Sequence, residues 1–340
     1  MVEQEIRFLL KKAALFYDYP PEDGDVFGQG RRDLIAEITD LYPHVINGGN
    51  FDENADALAD VEVIFATWGL PRFADHHFSR LPKLKAVFYA AGDVRSFADP
   101  LVENDIILVG AWDINAIPVT EMCLSQILLS LRGYFRAARQ YRDVKTHAAK
   151  SFSRSGVFGE TVGLIGLGKI GTRLRELLSS FPIKVIAHDP FLTDERAKAL
   201  DVEAVSLVDL FERSLVVSNH TPNLESTRGV LTANYFEIMR DGATFINSGR
   251  GAQVVEQDLV RVLSARPDLT ALLDVTLPEP PPAGSALWSL ENVVISPHIG
   301  GTVGDEVVRL ADCMIEEFER WEAGGPLRYR ITPEVLKTMG

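Results

Sequence analysis

Short apolar runs recur along the chain, separated by stretches in which apolar residues return at helical spacing. The runs Ala13 to Tyr17, Val61 to Thr67, Lys85 to Ala90 and Ile106 to Val109 are rich in Val, Ile and Phe and predict strands. A second series covers Thr161 to Leu167, Lys184 to Ala187, Leu215 to Ser218, Ala243 to Asn247, Thr270 to Leu273 and Val293 to Ile295. Such alternation predicts β/α units around parallel sheets, and two series imply two α/β domains. Between them, Ile117-Pro-Val-Thr-Glu predicts the start of a long helix, with Pro118 in its first turn and Glu121 favourable to the dipole. A final helix is expected from about Gly304 to Glu322, with Val307, Val308, Ala311, Met314, Ile315, Phe318 and Trp321 on one stripe.

Length and charge narrow the picture. The chain has 340 residues, more than one core usually organises, and 46% of them are hydrophobic. Asp+Glu number 48 against 34 Lys+Arg, an excess that repels phosphate backbones and anionic surfaces. Neither nucleic acid nor membrane is an expected partner. No apolar run is read as reaching the ~20 residues that cross a bilayer, since Glu121 and Gln126 interrupt the stretch Val119 to Leu131. The opening Met1-Val-Glu-Gln-Glu is acidic where an export signal is basic. Two cysteines, Cys123 and Cys313, make no disulfide framework. A cytoplasmic protein is expected, and with no His/Cys cluster at ligand spacing, no metal.

The segment Thr161-Val-Gly-Leu-Ile-Gly-Leu-Gly-Lys-Ile-Gly carries G-x-G-x-x-G at Gly166, Gly168 and Gly171, leaving a predicted strand and opening a predicted helix. The three glycines suit a tight turn, a close pyrophosphate and close helix packing, and the amides around Lys169 and Ile170 face the phosphates. The next strand ends at Asp189, whose carboxylate can accept from both ribose hydroxyls and repels a 2′-phosphate. NAD is therefore the expected cofactor.

Three further segments end predicted strands: Phe245-Ile-Asn-Ser-Gly-Arg-Gly, Asp274-Val-Thr-Leu-Pro-Glu-Pro and Ser296-Pro-His-Ile-Gly-Gly. The carboxyl ends of parallel strands line the ligand crevice, which brings Arg250, Glu279 and His298 into one candidate site. An imidazole at His298 can exchange a proton with a substrate oxygen, Glu279 can orient it, and the Arg250 fork can grip a carboxylate.

On these motifs, from about Leu84 to Thr302, the chain resembles the D-isomer-specific 2-hydroxyacid dehydrogenases. The resemblance implies that Arg250, Glu279 and His298 form the catalytic trio in an NAD-dependent exchange between a small D-2-hydroxy acid and its 2-keto acid. It implies that Asp274 binds the nicotinamide carboxamide, that Thr221 and Pro222 border the adenosine, and that Ser248, Gly249 and Gly301 line the cofactor groove. It implies two Rossmann-like parallel-sheet domains: a flavodoxin-like substrate domain, 1–117 with 305–340, and an inserted NAD-binding Rossmann domain, 118–304. A homodimer is implied as well.

Where the family shows a G-x-G-x-D loop, this chain reads Ala90-Ala-Gly-Asp-Val-Arg-Ser-Phe, leaving backbone donors at Ala91 and Gly92 for the substrate carboxylate. Glu279 stands where formate dehydrogenases on this fold have Gln, which argues against formate. With the sequence ending at Gly340, the extra regulatory domain of some phosphoglycerate dehydrogenases is not expected. The alternative is a non-enzymatic NAD(H)-sensing protein, since corepressors share the fold.

Overall fold

The structure is a computed structural model and describes residues 10–18, 24–144, 146 and 156–338. The described chain divides into two compact units: one holds residues up to Ala116 and those from Thr302 onward, the other Ile117–Gly301.

The first unit is built on β1 (Lys12–Phe16), β2 (Asp40–Ile46), β3 (Val63–Ala66), β4 (Ala86–Tyr89), β5 (Ile107–Gly110) and β13 (Arg330–Ile331), in the order β13-β5-β4-β3-β1-β2. All neighbours pair in parallel except β13 with β5. Successive strand residues serve opposite faces: Ala13 and Leu15 join one core layer, Ala14 and Phe16 the other. A strand covered on both faces needs no polar alternation, which explains its continuous apolar run. On one face lies the helix Val308–Glu322, whose Phe318 meets Phe65 and Phe88 edge-on at 5.4 and 5.7 Å. The turn expected to begin that helix, Gly304–Val307, is 3₁₀.

The strand β2 has no counterpart among the sequence-based expectations. It carries Pro43 and exposed His44, pairs only with β1, and is an edge where a missing N–H is tolerated. Among the histidines without an expected role, His77 is buried and stacked on Phe73, while His147 lies outside the described residues.

The second unit has a seven-stranded, all-parallel sheet: β6 (Thr161–Ile165), β7 (Lys184–His188), β8 (Glu203–Ala204), β9 (Val216–Asn219), β10 (Thr244–Asn247), β11 (Thr270–Leu273) and β12 (Val293–Ile295). Their order is β12-β11-β10-β9-β6-β7-β8, so the chain reverses direction across the sheet beside β6, between β6 and β9. That reversal is where an open parallel sheet leaves its ligand crevice.

Two expectations need correction. The long helix starts at Trp112, not near Pro118, and runs to Leu131; Pro118 lies inside it and cannot donate to the carbonyl one turn back. Consequently Trp112 and Asp113 sit in the helix's first turn. The same 20-residue helix is long and apolar enough to cross a membrane by length and composition, contrary to the sequence reading. Its Val119, Cys123, Ile127 and Leu131, spaced by one turn, pack into the core of the second unit. Trp288 is 53% exposed and donates its indole N–H to the Pro282 carbonyl at 3.0 Å.

Candidate active site

The site is assembled at the carboxyl ends of the second unit's strands. At the end of β6, Gly166 has φ 86°, a left-handed conformation that glycine adopts without cost. The helix Lys169–Leu178 follows, its Leu174 and Leu178 buried, Ile170 partly so, and Leu177 turned outward. Nothing lies within 4 Å of where a Cβ on Gly168 would stand, so the loop presents an open backbone face beside the helix start. Such a face fits a pyrophosphate held by main-chain amides.

Asp189, just past β7, accepts from the Leu167 amide at 2.7 Å and the Phe191 amide at 2.8 Å. Its carboxylate is therefore clamped to the glycine loop. Pro190 and Phe191 follow Asp189, and the fold brings an arginine to the loop from farther on: Arg196 donates to the Leu167 carbonyl and, at 3.2 Å, to the Thr172 hydroxyl.

Past β12, His298 accepts the strained φ of 54° that its segment imposes, a conformation rare for residues with a side chain. Its amide donates to the carbonyls of Asp274 and Ser296, each at 3.0 Å. Its Nδ1 lies 2.6 Å from Glu279 Oε1, with the two side chains 47% and 40% exposed. The two residues are 19 positions apart, so only the adjacency of β11 and β12 joins them. Buried Asp274 organises the same segment, accepting from the Ser296 hydroxyl at 2.6 Å and the amides of Ile299 at 3.0 Å and Gly300 at 2.8 Å. Gly301, next in line, is the last residue of this unit.

Arg250 follows β10 and is partly buried, with Nη1 donating to the Gly249 carbonyl at 2.9 Å. A Cβ on Gly251 would run into the backbone of Thr276, so this glycine is what allows the Arg250 loop to lie against the segment leading to Glu279.

Ser248 lies in a buried polar chain that sequence reasoning missed. The Cys123 thiol donates to Ser248 Oγ at 3.1 Å, and Ser248 Oγ lies 3.0 Å from His220 Nδ1. His220 Nε2 is buried without a partner among the described residues. Burial lowers the His220 pKa from 6.5 to about 3 and raises that of Cys123 to about 11.

Below pH 6.5 the unfolded imidazole takes a proton that the folded one refuses, so stability is lost as pH falls from about 6.5 toward about 3. In urea titrations across that window the wild type is expected to lose up to about 1.4 kcal/mol per pH unit more than His220→Asn. Equal slopes would show that His220 does not carry the effect.

In the first unit, the loop after β4 buries Ala90, Ala91 and Val94. The Ala91 amide, expected as a substrate donor, is turned to the Tyr89 carbonyl at 2.9 Å. Gly92 lies against the Asn115 side chain, whose Oδ1 accepts from the amide and hydroxyl of Thr302 at 3.0 and 2.9 Å. Arg95 donates to the Leu336 carbonyl at 3.0 Å, and Arg72 lines an open surface cavity of about 460 Å³ with Asp75, His76 and Glu103.

A glycine loop, a ribose-side carboxylate and a paired imidazole at the ends of one parallel sheet define a dinucleotide-dependent α/β protein. Residues 124–300 match the family model for the NAD binding domain of D-isomer specific 2-hydroxyacid dehydrogenases, and the chain belongs to that family. Its cofactor is NAD, which the open Gly168 face and the clamped Asp189 fit.

Similar proteins include D-3-phosphoglycerate dehydrogenase of Archaeoglobus fulgidus, 30% identical over 67% of this chain and 43% of that protein. The chloroplastic D-3-phosphoglycerate dehydrogenase 2 of Arabidopsis thaliana is 32% identical over 70% of this chain and 39% of its own length. The matches thus span less than half of these relatives. The apo structure of Rhodotorula graminis D-mandelate dehydrogenase shares the fold with a TM-score of 0.77, at 23% identity, covering 94% of this chain and 97% of the other.

Proposed function

We propose that the protein is an NAD-dependent D-2-hydroxyacid dehydrogenase that interconverts a small D-2-hydroxy acid and its 2-keto acid. The observation that carries this reading is the 2.6 Å contact between His298 Nδ1 and Glu279 Oε1, past the carboxyl ends of a parallel sheet whose strands also lead into Arg250 and the dinucleotide loop. Bound NADH supplies the hydride, and NAD⁺ receives it in the reverse direction. As hydride reaches the keto carbon, the carbonyl oxygen gains charge, and His298 gives it a proton from the ring nitrogen opposite Glu279. In oxidation the neutral ring takes the hydroxyl proton back. Glu279 fixes the ring's orientation, and Arg250 grips the carboxylate and polarises the carbonyl. In the cofactor groove, Asp274, Ser248, Gly249, Gly301, Thr221 and Pro222 line the dinucleotide.

The test is NADH oxidation with glyoxylate, pyruvate, hydroxypyruvate and bulkier 2-keto acids. Turnover of at least one supports the enzyme; NADH binding with none turned over favours a dinucleotide sensor instead. With the best substrate, Asp189→Ala is expected to raise the KM for NADH about tenfold while changing that for NADPH less, narrowing the preference. An unchanged preference would place the selectivity at another residue.

Assembly as a homodimer through the second unit is part of the reading: Phe158, Tyr141 and Tyr134 there are 89%, 60% and 53% exposed. Light scattering checks it. The two free, buried cysteines suit a reducing cytoplasm.

A further inference from the structure

The loops after β9 and β10 are joined by three buried side-chain amides that no step above uses. Gln253 and Asn219 are 0% exposed and Asn247 1%. Burying an amide is costly unless all its hydrogen-bonding capacity is met. For Gln253 it is met in full, and in one arrangement only.

Gln253 Oε1 accepts from Asn219 Nδ2 at 2.8 Å and from the Arg250 amide at 2.9 Å, while its Nε2 donates to the carbonyls of Thr221 at 2.8 Å and Pro222 at 3.0 Å. Asn219 also donates from Nδ2 to Asn247 Oδ1 at 3.0 Å and accepts from the Thr221 hydroxyl at 2.7 Å. Asn247 in turn accepts from the Gly249 amide and donates to the Arg250 carbonyl, both at 3.2 Å. Flipping the Gln253 amide would set donors against donors and its oxygen against two carbonyls. Both the N–H and the C=O of Arg250 are thus held, leaving only its side-chain torsions to find a ligand. The same glutamine holds two consecutive carbonyls of the Thr221–Pro222 loop.

We propose that Gln253, with Asn219 and Asn247, is a positioning residue that locks the Arg250 backbone to the Thr221–Pro222 loop, so that dinucleotide along that loop and a carboxylate on Arg250 strengthen each other's binding. This rests on the reading of Arg250 as the carboxylate grip. The physical basis is shared ordering: a ligand that stills one loop stills the other through the amides, and the second ligand then orders less. The coupling is reciprocal by linkage.

The experiment measures the Kd of NADH by fluorescence with and without oxamate, a 2-keto-acid analogue that accepts no hydride. In wild type, oxamate tightens NADH at least about fivefold. Gln253→Met, similar in volume but unable to bridge, abolishes that factor and raises the keto-acid KM about tenfold, with a smaller fall in kcat. In Gln253→Glu an ionised carboxylate faces the two carbonyls, and protonation restores a donor. Its coupling and kcat/KM recover as pH is lowered from about 8 to about 6, a response that mere loss of packing would not give. Asn219→Leu combined with Gln253→Met costs no more than either alone. If Gln253→Met does not fold, the pH series of Gln253→Glu decides alone, and a flat series overturns the proposal.

A Gln253→Met protein that melts at lower temperature yet keeps wild-type KM and coupling shows a packing role and overturns the positioning role. Wild-type protein that binds NADH but neither reduces a 2-keto acid nor responds to oxamate overturns the functional reading, and this proposal with it.

Discussion

His298→Ala is expected to lower the kcat for keto-acid reduction by at least ~100-fold while leaving the Kd for NADH within about twofold of wild type. The large effect follows from chemistry: the oxygen that gains charge during hydride addition then has no positioned proton. The small effect follows from place, because the ring projects past β12 and its backbone, not its side chain, bonds to Asp274. Glu279→Gln keeps a partner for Nδ1 but removes the charge, so its loss should fall between wild type and His298→Ala. Stopped-flow NADH fluorescence separates binding from turnover. An alanine variant that reduces keto acid at the wild-type rate would refute the assignment of the proton donor.

Arg250→Ala is expected to cost about 100-fold or more in kcat/KM for the keto acid, expressed in both constants, since the guanidinium holds the carboxylate in the ground state and polarises the carbonyl as charge grows. Arg250→Lys keeps the charge but not the planar fork and should recover only part of the loss. Because Gln253 and Asn247 hold the backbone at this position, both variants should keep the loop in place, and NADH affinity should move far less than the keto-acid KM. Equal losses in NADH affinity and keto-acid KM would mean that Arg250 supports the groove rather than the substrate.

The fold class was legible because strands such as Val63–Ala66 and Thr270–Leu273 are buried along their whole length, and a run with no polar interruption survives any detail of packing. The edge strand Asp40–Ile46 was not, because an exposed edge with a proline carries no periodic signal. The start of the Trp112–Leu131 helix was misplaced because Pro118, a common first-turn residue, here sits inside the helix. In the site, the glycine loop announced itself through local backbone chemistry, whereas Arg196 reached that loop from 29 residues away with no local signature. His220, Asn219, Asn247 and Gln253 were equally silent, since a buried polar side chain reads in a sequence like an exposed one.

The sequence by itself determined the alternation of strand and helix, the glycine turn and the residue types capable of acid–base and carboxylate chemistry, all of which depend on neighbours a few positions apart. Tertiary structure alone decided that Glu279 would meet His298, that Asp189 would clamp the Leu167 amide, and that Gln253 would bridge two loops. Those contacts come from the lateral order of strands in the sheet, β12-β11-β10-β9-β6-β7, which is set by the burial of whole faces and not by any local preference of the chain.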